Sequence, residues 1–443
     1  VLQIAAFRPL RYDPERISFI SRVVAPPYDL VGPAMAEDLH ARDPHNVVRL
    51  ILGKAGPQGH GDLAYATAAE TLRDWRNQSV LVREDEPSVY VIQQSFELDG
   101  ENIIRHGLIC AMLLEEFASG RVMPHEDTMD GPKADRLRLM QACKASLSQI
   151  FGIFSDDEGA ADAIIRSLTA QMPLYEFADT AGVAYRVWRV GDCPRVRKLG
   201  ALLKQERLLI ADGHHRYETA LRYRELHRSC GGPPGSAPED FLPVFCVSAK
   251  DAGLRILPTH RLVQAEGEFR PEELLARLKQ DFEVEELQAP STEALRAHLR
   301  AVAGPGGATC CYMATARLLV LRPLTDDPLA GRLPDRPEPW RRLPVAQLHH
   351  LILEPHFGIP GDIRDAHPRL SFTQDVDSLF WEVESGRAHA ALLLPPLPST
   401  VVEEIAQAGV RMPPKSTFFY PKIASGLLFY PFENDQNSPI LLG

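Results

Sequence analysis

The densest group of chemistry-bearing residues is Asp212-Gly213-His214-His215-Arg216-Tyr217, directly after the apolar run Leu208-Leu209-Ile210-Ala211. A buried strand that ends in Asp-Gly and enters a helix points that helix's first N–H groups at open space, where the dipole favours an anion. Gly213 permits the sharp turn and the close approach of a ligand, while His215 and Arg216 add donors in the first turn. Helix starts ordinarily carry Asp or Glu, so a His-His-Arg run there costs stability unless an anion sits against it. The expectation is a phosphate site built by Gly213, His214, His215 and Arg216, with Asp212 as the carboxylate for a magnesium ion. The plainer reading makes Asp212 an N-cap beside a surface ion cluster.

A second group, His125-Glu126-Asp127-Thr128 followed by Lys133 and Asp135-Arg136, surrounds a helix start. Glu126, with His125 beside it, is the candidate proton acceptor, and Lys133 and Arg136 are candidate contacts to phosphate or carboxylate. A solvated helix face would explain the same residues. No His stands at the i+4 position that a zinc-binding H-E-x-x-H needs. Ala25-Pro26-Pro27-Tyr28-Asp29 is a rigid extended turn that presents Tyr28 and Asp29 to a ligand or simply makes a corner. His260 and Arg261 at a strand end, and Lys415, Ser416 and Lys422 near two prolines, are further substrate contacts or else exposed hairpin residues. The sharpest expectation is that Glu126 and Arg136 share a cleft with His214 and His215.

No Walker A sequence, GxGxxG turn, kinase HRD and DFG pair, or GxSxG elbow occurs. The net charge of -11 repels polyanions and anionic membrane surfaces, which argues against nucleic acid and membrane partners while leaving a small anion free to bind locally. The seven cysteines are scattered without C-x-x-C spacing, so neither a disulfide framework nor a zinc site is expected. With no secretory leader in the first residues and no apolar run near ~20 residues, the expected location is the cytoplasm.

These groups need a scaffold. A chain of 443 residues exceeds one core, and two or three packed units are expected. Strands are predicted at 45–52, 88–96 and 103–114, the last two joined as a hairpin through Asp99-Gly100-Glu101-Asn102. A glycine-rich loop is predicted at 53–61, and helices at 62–77 and 131–146. The middle reads as strand 208–211, tight turn, helix 214–227, a Gly- and Pro-rich loop and strand 241–247. Helices follow at 271–282 and 292–303, a strand near 311–321, a Pro-rich linker at 324–339, helices at 343–353, 375–384 and 400–408, and a buried strand at 388–394.

The run IADGHHRYETAL followed by FLPVF resembles the phosphate-binding box of the ParB/sulfiredoxin superfamily. Over nearly its whole length the chain also resembles the protein family called domain of unknown function 1015, through VAPPYDLV near Ala25, HEDT at His125, KADR at Lys133, LPTHRLV at Leu257 and MPPKSTFFYPKIASGL at Met412. The resemblance implies an α/β (or α+β) fold with a ParB/sulfiredoxin-like unit at 161–263 between α/β segments at 1–160 and 264–443. Sulfiredoxins place their cysteine where His214 stands, which excludes sulfinic-acid reduction by that route. ParB clamps have glutamate there, and this chain has neither that residue nor a basic DNA-binding face. Free serine kinases carry a box similar to Asp-Gly-His-His. The implied function is a kinase that uses ATP or ADP and Mg2+ on a small hydroxyl metabolite such as serine. A non-enzymatic nucleotide switch and a phosphate-ester hydrolase are the alternatives.

Overall fold

The computed structural model describes residues 1–53, 62–128, 130–227, 233–288, 291–302, 307–313, 317–361, 367–433 and 439–442. Most of the expected glycine-rich loop, from 54 to 61, and Cys230 lie outside the described residues. The chain forms two compact units. Unit 1 comprises Val1–Met123, Asp130–Leu254 and Pro421–Gly443; unit 2 comprises Pro124–Met129 and Arg255–Tyr420. Both units are assembled from separated stretches of the chain.

Unit 1 is built on a mixed ten-stranded sheet. Its strands include β1 (Ile4–Ala6), β2 (Val89–Leu98), β3 (Glu101–Leu113), β4 (Val122–Met123), β5 (Ile150–Phe154), β6 (Tyr175–Ala178), β7 (Ala184–Val190), β8 (Leu208–Asp212) and β9 (Phe241–Ser248). The order is β4-β8-β5-β9-β3-β2-β7-β6, with β1 on β3 and a terminal strand, Ile440–Leu441, on β1. The β2–β3 hairpin forms as the sequence predicts, with both turn residues left-handed: Asp99 has φ 53 and Gly100 φ 79.

The helices of this unit are α1 (Asp62–Asn77), α2 (Asp130–Cys143), α3 (Ala160–Ser167), α4 (Pro194–Leu203) and α5 (His214–His227). Leu208 and Ile210 of β8 share a core cluster with Ile165 of α3, Leu199 of α4 and Tyr217 of α5. Leu209 and Ala211 are buried as well. A strand buried on both faces reads as an unbroken apolar run.

One strand prediction fails here: in the 45–52 run, Val48–Ile51 is helical. So short a mostly apolar run fits either period, and the side chain of Asn46 decides it by accepting from Val48 N at 3.0 Å and donating to the Val24 carbonyl at 3.1 Å.

Unit 2 holds a six-stranded antiparallel sheet of β10 (His260–Val263), β11 (Phe282–Gln288), β12 (Thr309–Met313), β13 (Arg317–Pro323), β14 (Leu370–Thr373) and β15 (Ala390–Leu393), ordered β11-β13-β12-β15-β10-β14. Helices α6 (Thr292–Ala301) and α7 (Val376–Glu384) cover it through Leu295, Leu299, Leu379 and Val383. The strand expected near 311–321 is two strands, and β11 was not anticipated: four of its seven residues are Glu or Gln and it is largely exposed, which hides the apolar alternation. The predicted linker is not a linker. Asp327 and Arg341 pair across it at 2.5 Å and Trp340 at its end is buried. The helix predicted at 343–353 is interrupted by a π-helical segment, Leu348–Leu353. Among the described residues no helix is long and apolar enough to cross a membrane.

Candidate functional site

In unit 1 the site begins with an irregularity in β8. The ladder to β5 pairs Ile210 with Gly152 and Asp212 with Phe151, so Ala211 is an extra residue and the strand bends just before Gly213. Gly213 then takes φ 95, a conformation that side chains resist. An added Cβ would lie 3.0 Å from the guanidinium of Arg216. Helix α5 starts at His214, and its first intrahelical bond runs from Tyr217 N to Gly213 O at 2.9 Å.

Arg216 does not point outward as the sequence suggests. It is buried beneath the turn, pairing with Asp212 Oδ2 at 2.5 Å and donating to the carbonyl of Gln149 and, at 3.4 Å, to Ser148 Oγ. The other Asp212 oxygen lies 2.7 Å from Lys422 Nζ, which also meets Asp29 Oδ2 at 2.5 Å. Two carboxylates hold the Lys422 ammonium, and although burial opposes its charge, they raise its pKa above the ordinary lysine range. Asp212, Arg216, Lys422 and Asp29 therefore form one alternating chain of charges. Tyr28 is tied to it: its ring lies 4.2 Å under the guanidinium of Arg136, and burial raises its phenol pKa. Arg136 donates to Asp135 at 2.7 Å and to the Ile51 carbonyl at 2.8 Å, and Lys133 meets Glu218 at 3.2 Å. Tyr28, Arg136, Arg216 and Thr219 line a crevice of about 30 Å³, room for one water-sized group. His214 is buried and His215 half-buried.

The expected magnesium finds no fit at Asp212, because both carboxylate oxygens already face cations. No group of three His, Cys, Asp or Glu residues that could hold a metal occurs among the described residues.

Sequence reading missed what fixes Lys422. Its carbonyl accepts from Tyr185 Oη at 3.2 Å and from Gln94 Nε2 at 3.5 Å, while the neighbouring Pro421 carbonyl accepts from the fully buried Arg105. The signal was present: Ile103 and Arg105 alternate inward on β3 about an exposed Ile104, so an arginine stands at a core-facing position.

Unit 2 gathers the other candidates. Glu126 Oε1 accepts from Ser416 N at 3.1 Å, Thr417 N at 3.0 Å and Thr417 Oγ1 at 3.1 Å. Its second oxygen has no hydrogen bond among the described residues. His125 is buried, with Nε2 2.7 Å from Thr417 Oγ1. Arg261 is wholly buried and donates to the carbonyls of Thr259 and, at 3.1 Å, Lys415. Burial pushes its pKa down to about 9, with Glu126 opposing the fall. His349 Nδ1 donates to Gly361 O at 3.1 Å, so Nε2 is the acceptor facing Arg261 at 3.5 Å. His260 Nδ1 accepts from Leu394 N at 3.2 Å. Burial holds both histidines neutral, pushing each down to about 3. Lys415 adopts φ 60 and Ser416 is buried with Oγ on the Pro413 carbonyl at 2.5 Å. The structure thus brings Tyr28, Asp29, Arg136, Asp212, Arg216 and Lys422 together in unit 1, and His125, Glu126, Arg261, Lys415 and Ser416 together in unit 2.

Residues 4–346 match the family described as "Protein of unknown function (DUF1015)". No curated protein matches. Among solved structures, a conserved hypothetical protein from Pyrococcus furiosus is similar at 12% identity and a TM-score of 0.33, over 69% of this chain and 90% of that one. A free serine kinase in complex with AMP is similar at 11% identity and a TM-score of 0.32, over 68% and 84%. SbnI with C-terminal truncation from Staphylococcus aureus is similar at 10% identity and a TM-score of 0.35, over 71% and 88%. None of these values is high enough to carry a site residue or an activity across.

Proposed function

The chain belongs to the family described as protein of unknown function (DUF1015), and since that membership names no reaction, we propose from the residues themselves that the Asp212–Gly213 turn binds the phosphates of a nucleotide. The reaction we assign is transfer of a phosphoryl group from ATP or ADP to a small hydroxyl compound.

The observation that supports this most is the build of the turn. The bulge at Ala211 and the left-handed Gly213 bring backbone to the start of α5, and Arg216 and Asp212 lock it from beneath. A rigid helix start carrying the positive end of its dipole, with the charges beneath it balanced among Arg216, Lys422, Asp212 and Asp29, is preorganised for an anion. The crevice at Tyr28 is too small for a nucleoside, so the ligand belongs on the outer side of the turn with its phosphates toward His214 and His215. Phosphoryl transfer relies on positioning and electrostatics rather than on a protein nucleophile, which suits a site of backbone and cations. No step depends on a metal at Asp212.

Thermal shift with ATP and with ADP tests the binding: ligand at 100 times its Kd stabilises by about 2.7 kcal/mol. His215→Ala is expected to abolish that shift while leaving the unliganded Tm near that of the wild type. Phosphoserine formation from serine and nucleotide then supports transfer, free phosphate without an acceptor supports hydrolysis, and binding without turnover supports a switch. No shift with either nucleotide sinks the reading.

A further inference from the structure

Unit 2 contains a cavity of about 640 Å³, within the range of small-molecule sites, which the proposed nucleotide site does not use. Arg332, Arg336 and Arg411 line it against two carboxylates, Asp127 and Glu354, leaving the lining net positive. Glu354 is engaged by His350 at 3.0 Å, and Asp127 faces Arg411 at 3.8 Å. Arg332 pairs with Asp281 at 3.1 Å and donates to the His350 carbonyl at 3.0 Å. Arg336 has no carboxylate partner among the described residues.

One buried side chain touches two of these three arginines. Trp340, at 3% exposure, carries the Arg336 guanidinium 4.8 Å from its ring centroid and donates Nε1–H to the Arg411 carbonyl at 3.0 Å. A single indole therefore carries the Arg336 guanidinium on its face and holds the Arg411 backbone by its edge, while the Arg411 guanidinium faces Asp127. Pro355, Pro413 and Pro414 supply an apolar wall of restricted backbone. The Pro413 carbonyl is itself held by Ser416 Oγ. Fixed guanidinium groups in a concave site are suited to the several acceptor oxygens of a phosphate, and the proline wall suits an apolar body.

We propose that this cavity is a binding site for a small phosphate monoester, with its phosphate against Arg336 and Arg411 and its organic part against the prolines. Phenyl phosphate is the probe, titrated calorimetrically into the full chain, with benzoate and inorganic phosphate as comparators. Wild-type protein is expected to bind phenyl phosphate more tightly than either comparator. Arg336→Gln, an exposed position whose change should leave folding intact, is expected to weaken it about tenfold or more. Arg411→Gln should weaken it too, and His215→Ala in unit 1 should leave this binding unchanged. Unaltered affinity in both arginine variants overturns the site, as does loss confined to His215→Ala or no binding by the wild type at millimolar probe. Benzoate binding as tightly as phenyl phosphate overturns the assignment to phosphate. Because the nucleotide shift is read on His215 and this site on Arg336, failure of either leaves the other standing.

Discussion

Arg216 in unit 1 and Arg261 in unit 2 are both buried, yet they are compensated in different ways. Arg216 touches a carboxylate, Asp212 at 2.5 Å, in a chain that continues through Lys422 to Asp29. Arg261 is held by backbone carbonyls and a neutral imidazole, with its Nε buried and lacking a hydrogen bond. Its pKa falls to about 9, whereas paired Lys422 is driven upward. The difference teaches that unit 1 depends on charge balance in contact, so removing one member exposes the rest. In unit 2 the cation is itself a cost, offset because it braces the strand end at Thr259 to the loop at Lys415.

The largest effect should follow from breaking the first arrangement. Arg216→Ala leaves the Gln149 carbonyl without its donor and Asp212 with half its compensation, a change that costs about 3–5 kcal/mol when a buried pair is broken. Arg261→Met fills much of the same volume and removes a poorly compensated charge, so about 1–2 kcal/mol is expected. Hydrogen exchange read separately in α5 and β10 gives both numbers. A larger loss from Arg261→Met would mean that carbonyl bracing, not contact pairing, is the stronger device.

Acid separates the units next. His260 and His349 stay neutral in the folded protein down to about 3, while in the unfolded chain they take up protons below about 6.5. The unfolded state then binds more protons, so this contribution is full above pH 6.5 and is lost as pH falls toward 3. Unit 2 should lose up to a few kcal/mol over that window, with both histidines contributing. His349→Gln, whose amide oxygen can still accept from Arg261, should flatten the slope. An unchanged slope in that variant would show that His349 is not the group titrating. In unit 1, His106 is pushed down to about 4, by burial first and by Arg166 next, which gives a similar but narrower window.

How much of this could be read beforehand follows the same division. The strand, Asp-Gly turn and helix at 208–227 were legible because local pattern and turn chemistry agree there, and the β2–β3 hairpin was legible for the same reason. The inward course of Arg216 was not, since a first-turn arginine reaches out or back with equal ease and only the Gln149 carbonyl decides. Lys422 was noticed as a cation, but its partners Asp29 and Asp212 are 393 and 210 residues away in sequence, and no local rule reports such a contact. The stretch at 324–339 misled because prolines suggest a linker, whereas here they precede Trp340, whose burial fixes the segment. The expectation that Glu126 and Arg136 share a cleft with His214 and His215 rests on residues of both units: Arg136 lines a crevice with Arg216 in unit 1, and Glu126 belongs to unit 2.

The smallest expected effect tests whether Glu126 acts in unit 2 by its charge or by its acceptor oxygen. Three donors from Ser416 and Thr417 converge on Oε1 alone, and an amide oxygen in the same position would accept the same bonds. Glu126→Gln should therefore cost about 1 kcal/mol or less, since no buried N–H loses its partner. Glu126→Ala leaves the two backbone donors unsatisfied and should cost about 2 kcal/mol more, with faster amide exchange at Ser416 and Thr417. The charge still matters to Arg261, because Glu126 is the group that raises its pKa against burial. In Glu126→Gln the guanidinium should titrate below about 9, which nitrogen NMR of the Arg261 side chain would detect as an earlier loss of its proton on raising the pH. If the exchange rates at 416 and 417 rise in the Gln variant as far as in the Ala variant, the loop is held by charge, and the contrast drawn between the two arginines disappears.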